Sequence, residues 1–274
     1  MKIFVYGTLL RGLDRHPALA GAPFQGHGIV EGILHDLGDY PALVEGDGTV
    51  HGEVFEADDA ILRVLDAIEG NHPGRDTASL FRRRDVRATL MHDGSIVTVQ
   101  AYFFHGDCER SRIIECGEYR RYLAEAVSPE QWYIAFASNM STGRLEKRIP
   151  IPGTIEKGYL EGYRLMFNKK ADGGGVYANI AWAGAGYRCP FTACVITRDL
   201  LSLLDGFEGG PAHYARIVVP FSFTPSGPQH MGHLYMADPK KLTENGTPSA
   251  GYLKYIYDGY EEHGFDTKDL PKPR

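Results

Sequence analysis

Two carboxylates stand at matched places in this chain: Glu69 in Leu65-Asp-Ala-Ile-Glu-Gly70 and Glu208 in Leu204-Asp-Gly-Phe-Glu-Gly209. In each motif an Asp, Asp66 or Asp205, precedes the Glu by three residues and falls in the last turn of an expected helix. One acid of such a pair can solvate the helix end while the other points into a pocket. Desolvation there raises the pKa and fits the group for general acid–base work. Two exposed acids would give the same letters, but both copies keep the motif while most surface positions differ. Well upstream of each Glu, a strand runs into a tight turn: Tyr6-Gly7-Thr8-Leu9 and Phe136-Ala137-Ser138-Asn139-Met140. Successive N–H groups in such a turn form a concavity that receives a carboxylate or a developing oxyanion. An ordinary β-turn is the plainer alternative.

Other chemistry-bearing residues point to structure. His230 and His233 lie in a segment that reads as a strand, which puts them on opposite faces and argues against a shared metal. Gly173-Gly174-Gly175 lacks the lysine and following helix of a phosphate-binding loop. Ser138 has no His and Asp pattern around it to make it a nucleophile. Cys108, Cys116, Cys189 and Cys194 have neither CxxC nor zinc-ligand spacing, so they read as reduced thiols, mostly buried.

The elements that must position these residues occur twice. Lys2–Leu9 matches Trp132–Asn139, and Glu31-Gly-Ile-Leu matches Glu161-Gly-Tyr-Arg-Leu. The two Leu-Asp-x-x-Glu-Gly motifs follow, and then Phe81-Arg-Arg83 matches Tyr214-Ala-Arg216. Four pairs in one order indicate a tandem duplication, which has to be found before the fold is read. Strands are expected over 2–6, 27–35, 50–56, 81–90 and 95–104 in the first half. In the second they are expected over 132–137, 157–167, 176–182, 189–196, 214–223 and 229–236. Short helices fit 58–68 and 197–207, each opened by an N-cap residue, Asp58 or Thr197. Each half ends in an amphipathic helix, and Pro129 closes the first. The expected fold class is α+β, as two tandem domains, 1–128 and 129–274, each a small mixed β-barrel with flanking helices.

Charge narrows the function. The formal net charge is −6, and no basic stripe is longer than the Arg82–Arg84 run with Arg87, which speaks against a nucleic-acid partner. The excess acid is uneven, −8 over residues 1–130 and +2 over the rest, as befits two separate units. The apolar run at the start is too short for a signal peptide or a membrane span, so a cytoplasmic protein without a membrane partner is expected.

Tyr133-Ile-Ala-Phe-Ala-Ser-Asn-Met140 resembles the opening motif of the gamma-glutamylcyclotransferases. Gly162-Tyr-Arg-Leu, Ala178-Asn-Ile180, Leu204-Asp-x-x-Glu-Gly209, Tyr214-x-Arg216 and Pro248-Ser249 with Tyr252-Leu253 follow in the family's order. Tyr6-Gly-Thr-Leu9, Tyr40-Pro-Ala-Leu43, Gly52-Glu-Val-Phe55 and Leu65-Asp-x-x-Glu-Gly70 are similar to the sister branch, the gamma-glutamylamine cyclotransferase-like proteins. The resemblance implies a reaction in which the α-amine of a γ-glutamyl group attacks its own side-chain carbonyl. That attack releases 5-oxoproline and an amine or amino acid. The resemblance implies Glu208 and Glu69 as bases, with no metal and no organic cofactor. It implies a substrate held by Tyr6, Gly7, Thr8 and Leu9, and by Phe136, Ala137, Ser138, Asn139, Met140, Tyr214 and Tyr252.

The second half matches over more positions, so it is favoured for γ-glutamyl amino acids with Glu208 as its base, while the first half keeps the better turn. An apolar pocket of Tyr133, Phe136 and Tyr214 should raise the pKa of Glu208. Ala137 departs from the family's glycine, and alanine tolerates positive φ poorly. The loops 72–80 and 169–175 are expected to set specificity. A non-catalytic protein that binds a small anionic metabolite is the alternative. It would show the two glutamates exposed or paired with arginine.

Overall fold

The computed structural model describes residues 1–74, 78–151 and 153–272. They form two compact units, Met1–Leu123 and Ala124–Arg274. The division falls inside a helix and not at Ser128-Pro129. The Gln131 side-chain amide donates to the carbonyls of Ala124 and Ser128, which ties the last helical turn to the second unit.

In the first unit the strands are β1 (Lys2–Val5), β2 (Phe24–Asp36), β3 (Pro41–Glu56), β4 (Phe81–Leu90), β5 (Ile96–Phe104) and the short β6 (Arg112–Ile113). They run in the order β3-β1-β5-β4-β2, and β2 returns to pair with β3, so five strands close into a barrel with β6 at its rim. Only β1 and β5 pair in parallel. Ile3, Phe4 and Val5 are all buried, because β1 lies at the centre of the unit. Helix α1 (Asp59–Ile68) is opened by Asp58, whose carboxylate accepts from the Ile61 N–H at 2.8 Å. It buries Leu62 and Leu65, each contributing roughly 1.5–3 kcal/mol. Helix α2 (Tyr119–Val127) ends the half.

The second unit repeats the plan with one opening. Its strands are β7 (Glu130–Ala135), β8 (Glu156–Glu161), β9 (Tyr163–Lys170), β10 (Val176–Trp182), β11 (Arg188–Thr197), β12 (Tyr214–Phe221) and β13 (His230–Ala237). The expected strand over 157–167 is broken at Gly162 into β8 and β9. Strands β12-β13-β7-β11-β8 form one sheet and β9-β10 a separate hairpin, so backbone ladders do not close this barrel as they close the first. The fully buried Asn179 of β10 spans the gap, its side-chain oxygen accepting from the Ala237 N–H of β13 at 2.9 Å. The helices are α3 (Thr142–Leu145), α4 (Arg198–Glu208), which is N-capped by Thr197, and α5 (Ala250–Glu262).

His230 packs among Trp132, Phe221 and Phe223, while His233 is buried and bonded to Gln131 and Arg216. Among the described residues no cysteine forms a disulfide; Cys189 and Cys194 are buried, Cys108 and Cys116 half-buried. Among the described residues no helix is long and apolar enough to cross a membrane.

Candidate active site

In the first unit β1 delivers the chain into the turn. Tyr6, Gly7, Thr8 and Leu9 line a narrow recess of about 20 Å³ together with Arg15, Tyr40, Pro41, Tyr102 and Glu69. Gly7 is required by space and not by φ, since it is absent from the positive-φ glycines and a Cβ there would lie 2.7 Å from Pro41 Cγ. The carbonyls of Gly7 and Thr8 are taken by the N–H groups of Leu10 and Arg15. The N–H groups of Gly7, Thr8 and Leu9 meet no acceptor among the described residues. Such a row is a ready anion cradle.

A buried ion cluster holds the far end of that turn. Glu53 is wholly buried and accepts from the Arg11 N–H at 3.0 Å, from Arg11 Nε at 3.0 Å and from Arg120 Nη1 at 2.8 Å. Burial opposes the charge on Glu53, but the two guanidiniums outweigh it and hold the carboxyl far below its usual range. The neighbouring His27 is pushed well down, chiefly by burial.

The Leu-Asp-x-x-Glu-Gly motif divides its two acids cleanly. Asp66 accepts from Arg83 Nε (2.8 Å) and Nη2 (3.0 Å), from the Tyr102 hydroxyl (2.8 Å) and from the Asn71 amide (2.8 Å). Burial would raise its pKa, but these donors lower it. Helix α1 then stops: the Glu69 N–H still bonds to the Leu65 carbonyl, and Gly70 turns the chain at φ +59°. The Glu69 carboxylate leaves the helix and joins the recess lining. Among the described residues it has no hydrogen-bond or ion-pair partner. Burial pushes its pKa up to about 7, against a weaker opposing pull from Arg15. The Tyr6 hydroxyl donates to the Tyr102 carbonyl at 2.6 Å, and its own pKa is driven up by burial and by Glu69, so it stays protonated.

The second unit copies the frame and changes the charge. Asp205 accepts from Arg216 Nε and Nη2 and from the Tyr235 hydroxyl, as Asp66 does from Arg83 and Tyr102. Gly209 ends α4 at φ +66°. Glu208 lines a recess with Tyr133, Phe136, Ala137, Ser138, Asn139, Tyr214 and Tyr252. Glu208 Oε1 accepts from Arg148 Nη1 at 2.6 Å and from Asn139 Nδ2 at 3.0 Å. Glu208 has the expected neighbours Tyr133, Phe136 and Tyr214 but is also ion-paired, whereas Glu69 is the glutamate left without such a partner. The concern over positive φ at Ala137 also falls away, since its φ is −140°. The N–H groups of Ala137, Ser138 and Asn139 meet no acceptor among the described residues, as in the first turn.

Of the residues expected at the two sites, Met140 is the one placed elsewhere. It is 1% exposed and packs beneath α5, where a Cβ on Gly259 would lie 2.7 Å from its own. The sequence reading missed Arg15, Tyr40 and Tyr102 in the first unit and Arg148 and Tyr235 in the second. Arg148 follows Arg144 by one helical turn just after the Ser138-Asn139 turn, and that spacing was its one visible signal. Of the loop 72–80, Arg75, Asp76 and Thr77 lie outside the described residues.

A family model described as gamma-glutamyl cyclotransferase, AIG2-like, matches residues 3–121. A Methanocaldococcus jannaschii protein that bears a gamma-glutamylcyclotransferase name is 32% identical over 124 residues, 44% of this chain and 96% of that protein. The gamma-glutamylcyclotransferase family protein YtfP of Escherichia coli is 42% identical over 69 residues, 25% of this chain. The matches to YtfP and to a Vibrio cholerae relative span only 61% and 60% of those proteins' lengths. The crystal structure of YkqA from Bacillus subtilis superposes with a TM-score of 0.72 over 95% of this chain and 91% of that one. At 23% identity this is a likeness of fold.

Proposed function

The chain belongs to the gamma-glutamylcyclotransferase family, and from that membership we propose that its first unit cyclises a γ-glutamyl group to 5-oxoproline, with Glu69 as the base. The observation that carries the reading is the unpartnered, half-buried Glu69 carboxylate lining the same recess as the free N–H groups of Gly7, Thr8 and Leu9.

The α-ammonium of the substrate must lose a proton before it can attack. A carboxylate with a pKa near 7 accepts that proton at neutral pH and still returns it to the leaving nitrogen. The amine nitrogen bonds to the side-chain carbonyl carbon, and the bond from that carbon to the leaving nitrogen then breaks. The amine sheds two protons in all, and the leaving amine gains two. The reaction is intramolecular, so a recess that folds the γ-glutamyl chain onto itself supplies much of the acceleration. The N–H cradle holds the substrate carboxylate or the oxyanion, and donors set in advance for that charge need no rearrangement.

This reading places the chemistry in the half that the sequence ranked second. Glu208 has the frame of a base, but its carboxylate is engaged by Arg148 and Asn139. The test is 5-oxoproline release from a panel of γ-glutamyl amines and γ-glutamyl dipeptides. The wild type and Glu208→Gln should release it, and Glu69→Gln should not. Folded wild-type protein that released none from any member would sink the proposal.

A further inference from the structure

The second unit's recess opens outward into a cavity of about 480 Å³, much larger than the first recess. Its walls carry three cations, Arg144, Arg148 and Lys169, with Tyr177, Tyr252 and Tyr255 between them. Arg144 lies 4.4 Å from the Tyr255 ring centroid, and its Nε is buried without a partner. Lys169 Nζ lies 3.0 Å from His213 Nδ1 and 5.5 Å from the Tyr214 ring centroid. Two acids share this lining: Glu208, engaged by Arg148, and Asp172, whose side chain is 80% exposed. The cavity thus holds more positive charge than its own acids neutralise.

One buried atom at its inner end also lacks a partner. Asn139 is 93% buried by its 7% exposure, and its Nδ2 donates to both Glu208 and the Tyr133 hydroxyl. Its Oδ1 accepts from no donor among the described residues. A buried carbonyl oxygen left unbonded keeps the cost of its lost hydration, which a ligand donor would recover. An ammonium beside Glu208 is such a donor, and the free N–H groups of Ala137, Ser138 and Asn139 suit a carboxylate next to it.

We infer that the second unit holds a separate site for ligands with an α-amino-acid head and a further anionic group, and that Arg148 moves from Glu208 to that group on binding. Only the γ-glutamyl nature of the head rests on the cyclotransferase reading. A neutral ligand tail offers Arg148 no anion, so Arg148 stays on Glu208 and competes with the incoming ammonium. An anionic tail takes Arg148 away, and the Glu208 charge is then free to hold the head. Arg148 is the residue that sets specificity in this account.

Calorimetric titration of the full chain carrying Glu69→Gln tests it, with γ-glutamylglutamate and γ-glutamylpropylamide as probes. The dianionic-tailed probe should bind at least tenfold tighter than the neutral one. Adding Arg148→Gln should remove that preference by weakening the first probe and not the second. Arg144→Gln should weaken the anionic probe several-fold and serves if the Arg148 variant fails to fold. Equal binding of the two probes, or a preference that survives both substitutions, would overturn the inference. Wild-type protein that released no 5-oxoproline yet kept the Arg148-dependent preference would defeat the proposed activity and leave this site standing.

Discussion

Arg148 Nη1 lies 2.6 Å from Oε1 of Glu208, and among the described residues no cation is bonded to Glu69, its counterpart in the other unit. One motif on two equivalent helix ends thus sits in two electrostatic settings. A carboxylate that accepts a 2.6 Å bond from a guanidinium is already engaged. One that no side chain of the recess engages is poised to exchange a proton.

The pH response of the first site follows from Glu69. Its pKa rises from 4.5 to about 7, so the base form is lost as pH falls through that value. The initial rate of 5-oxoproline release should drop with an apparent pKa near 7, and Glu208→Gln should leave that profile in place. The stability effect has a definite sign. A carboxyl that holds its proton more tightly when folded adds stability relative to its charged form below pH 4.5, and that advantage disappears as pH rises through about 7. Glu69→Gln should therefore be neutral near pH 4 and stabilising above pH 7, by at most about 3 kcal/mol. Melting curves at the two pH values check it, and a destabilised Glu69→Gln at pH 8 would mean the carboxylate is structural.

Asp66 should behave in the opposite way. Asp66→Asn weakens the bonds from Arg83 and leaves that guanidinium partly buried, at a cost of roughly 1–3 kcal/mol at neutral pH for a pair this far from fully desolvated. Because the folded pKa of Asp66 is lowered, its contribution is present above about pH 4 and fades as pH falls further. Asp205→Asn should lower the melting temperature while preserving 5-oxoproline release. Chemical denaturation and the release assay on the same samples separate the two effects.

Gly7→Ala puts a methyl group into Pro41, 2.7 Å from its Cγ. The turn must shift to accommodate it, and the three N–H groups shift with it. Turnover should fall at least tenfold, with a loss of stability of about 1–2 kcal/mol. A variant with unchanged kcat and KM would show that this turn does not hold the reacting group.

Glu53→Gln leaves Arg11 and Arg120 without their shared anion inside the first unit. Breaking a buried pair by removing one partner costs about 3–5 kcal/mol, and urea titration should show a loss of that size. The variant should also raise KM, since Arg11 fixes the far end of the turn.

The duplication, the strands and the paired glutamates were legible because they are local: each is written in a few consecutive residues. Asp58 and Thr197 cap their helices as their chemistry suggests. The difference between the two sites was not legible, because it comes from contacts across the chain. Arg148 reaches Glu208 from 60 residues away, and Tyr102 reaches Asp66 from 36. Met140 adjoins the turn in sequence, yet the short 3-10 turn of Ser138–Met140 swings it under α5. Nor could spacing reveal that a side chain, Asn179, stands in for a backbone ladder between β10 and β13.

The clamp on each aspartate has an evolutionary consequence. Asp66 with Arg83 and Tyr102, and Asp205 with Arg216 and Tyr235, hold the helix ends without any help from the glutamates. Scaffold and chemistry are thus carried by different residues of one six-residue motif. Either glutamate is therefore free to acquire new neighbours with little penalty to folding. Such a frame tolerates divergence at its working carboxylate, and Arg148 beside Glu208 is the kind of change that tolerance admits.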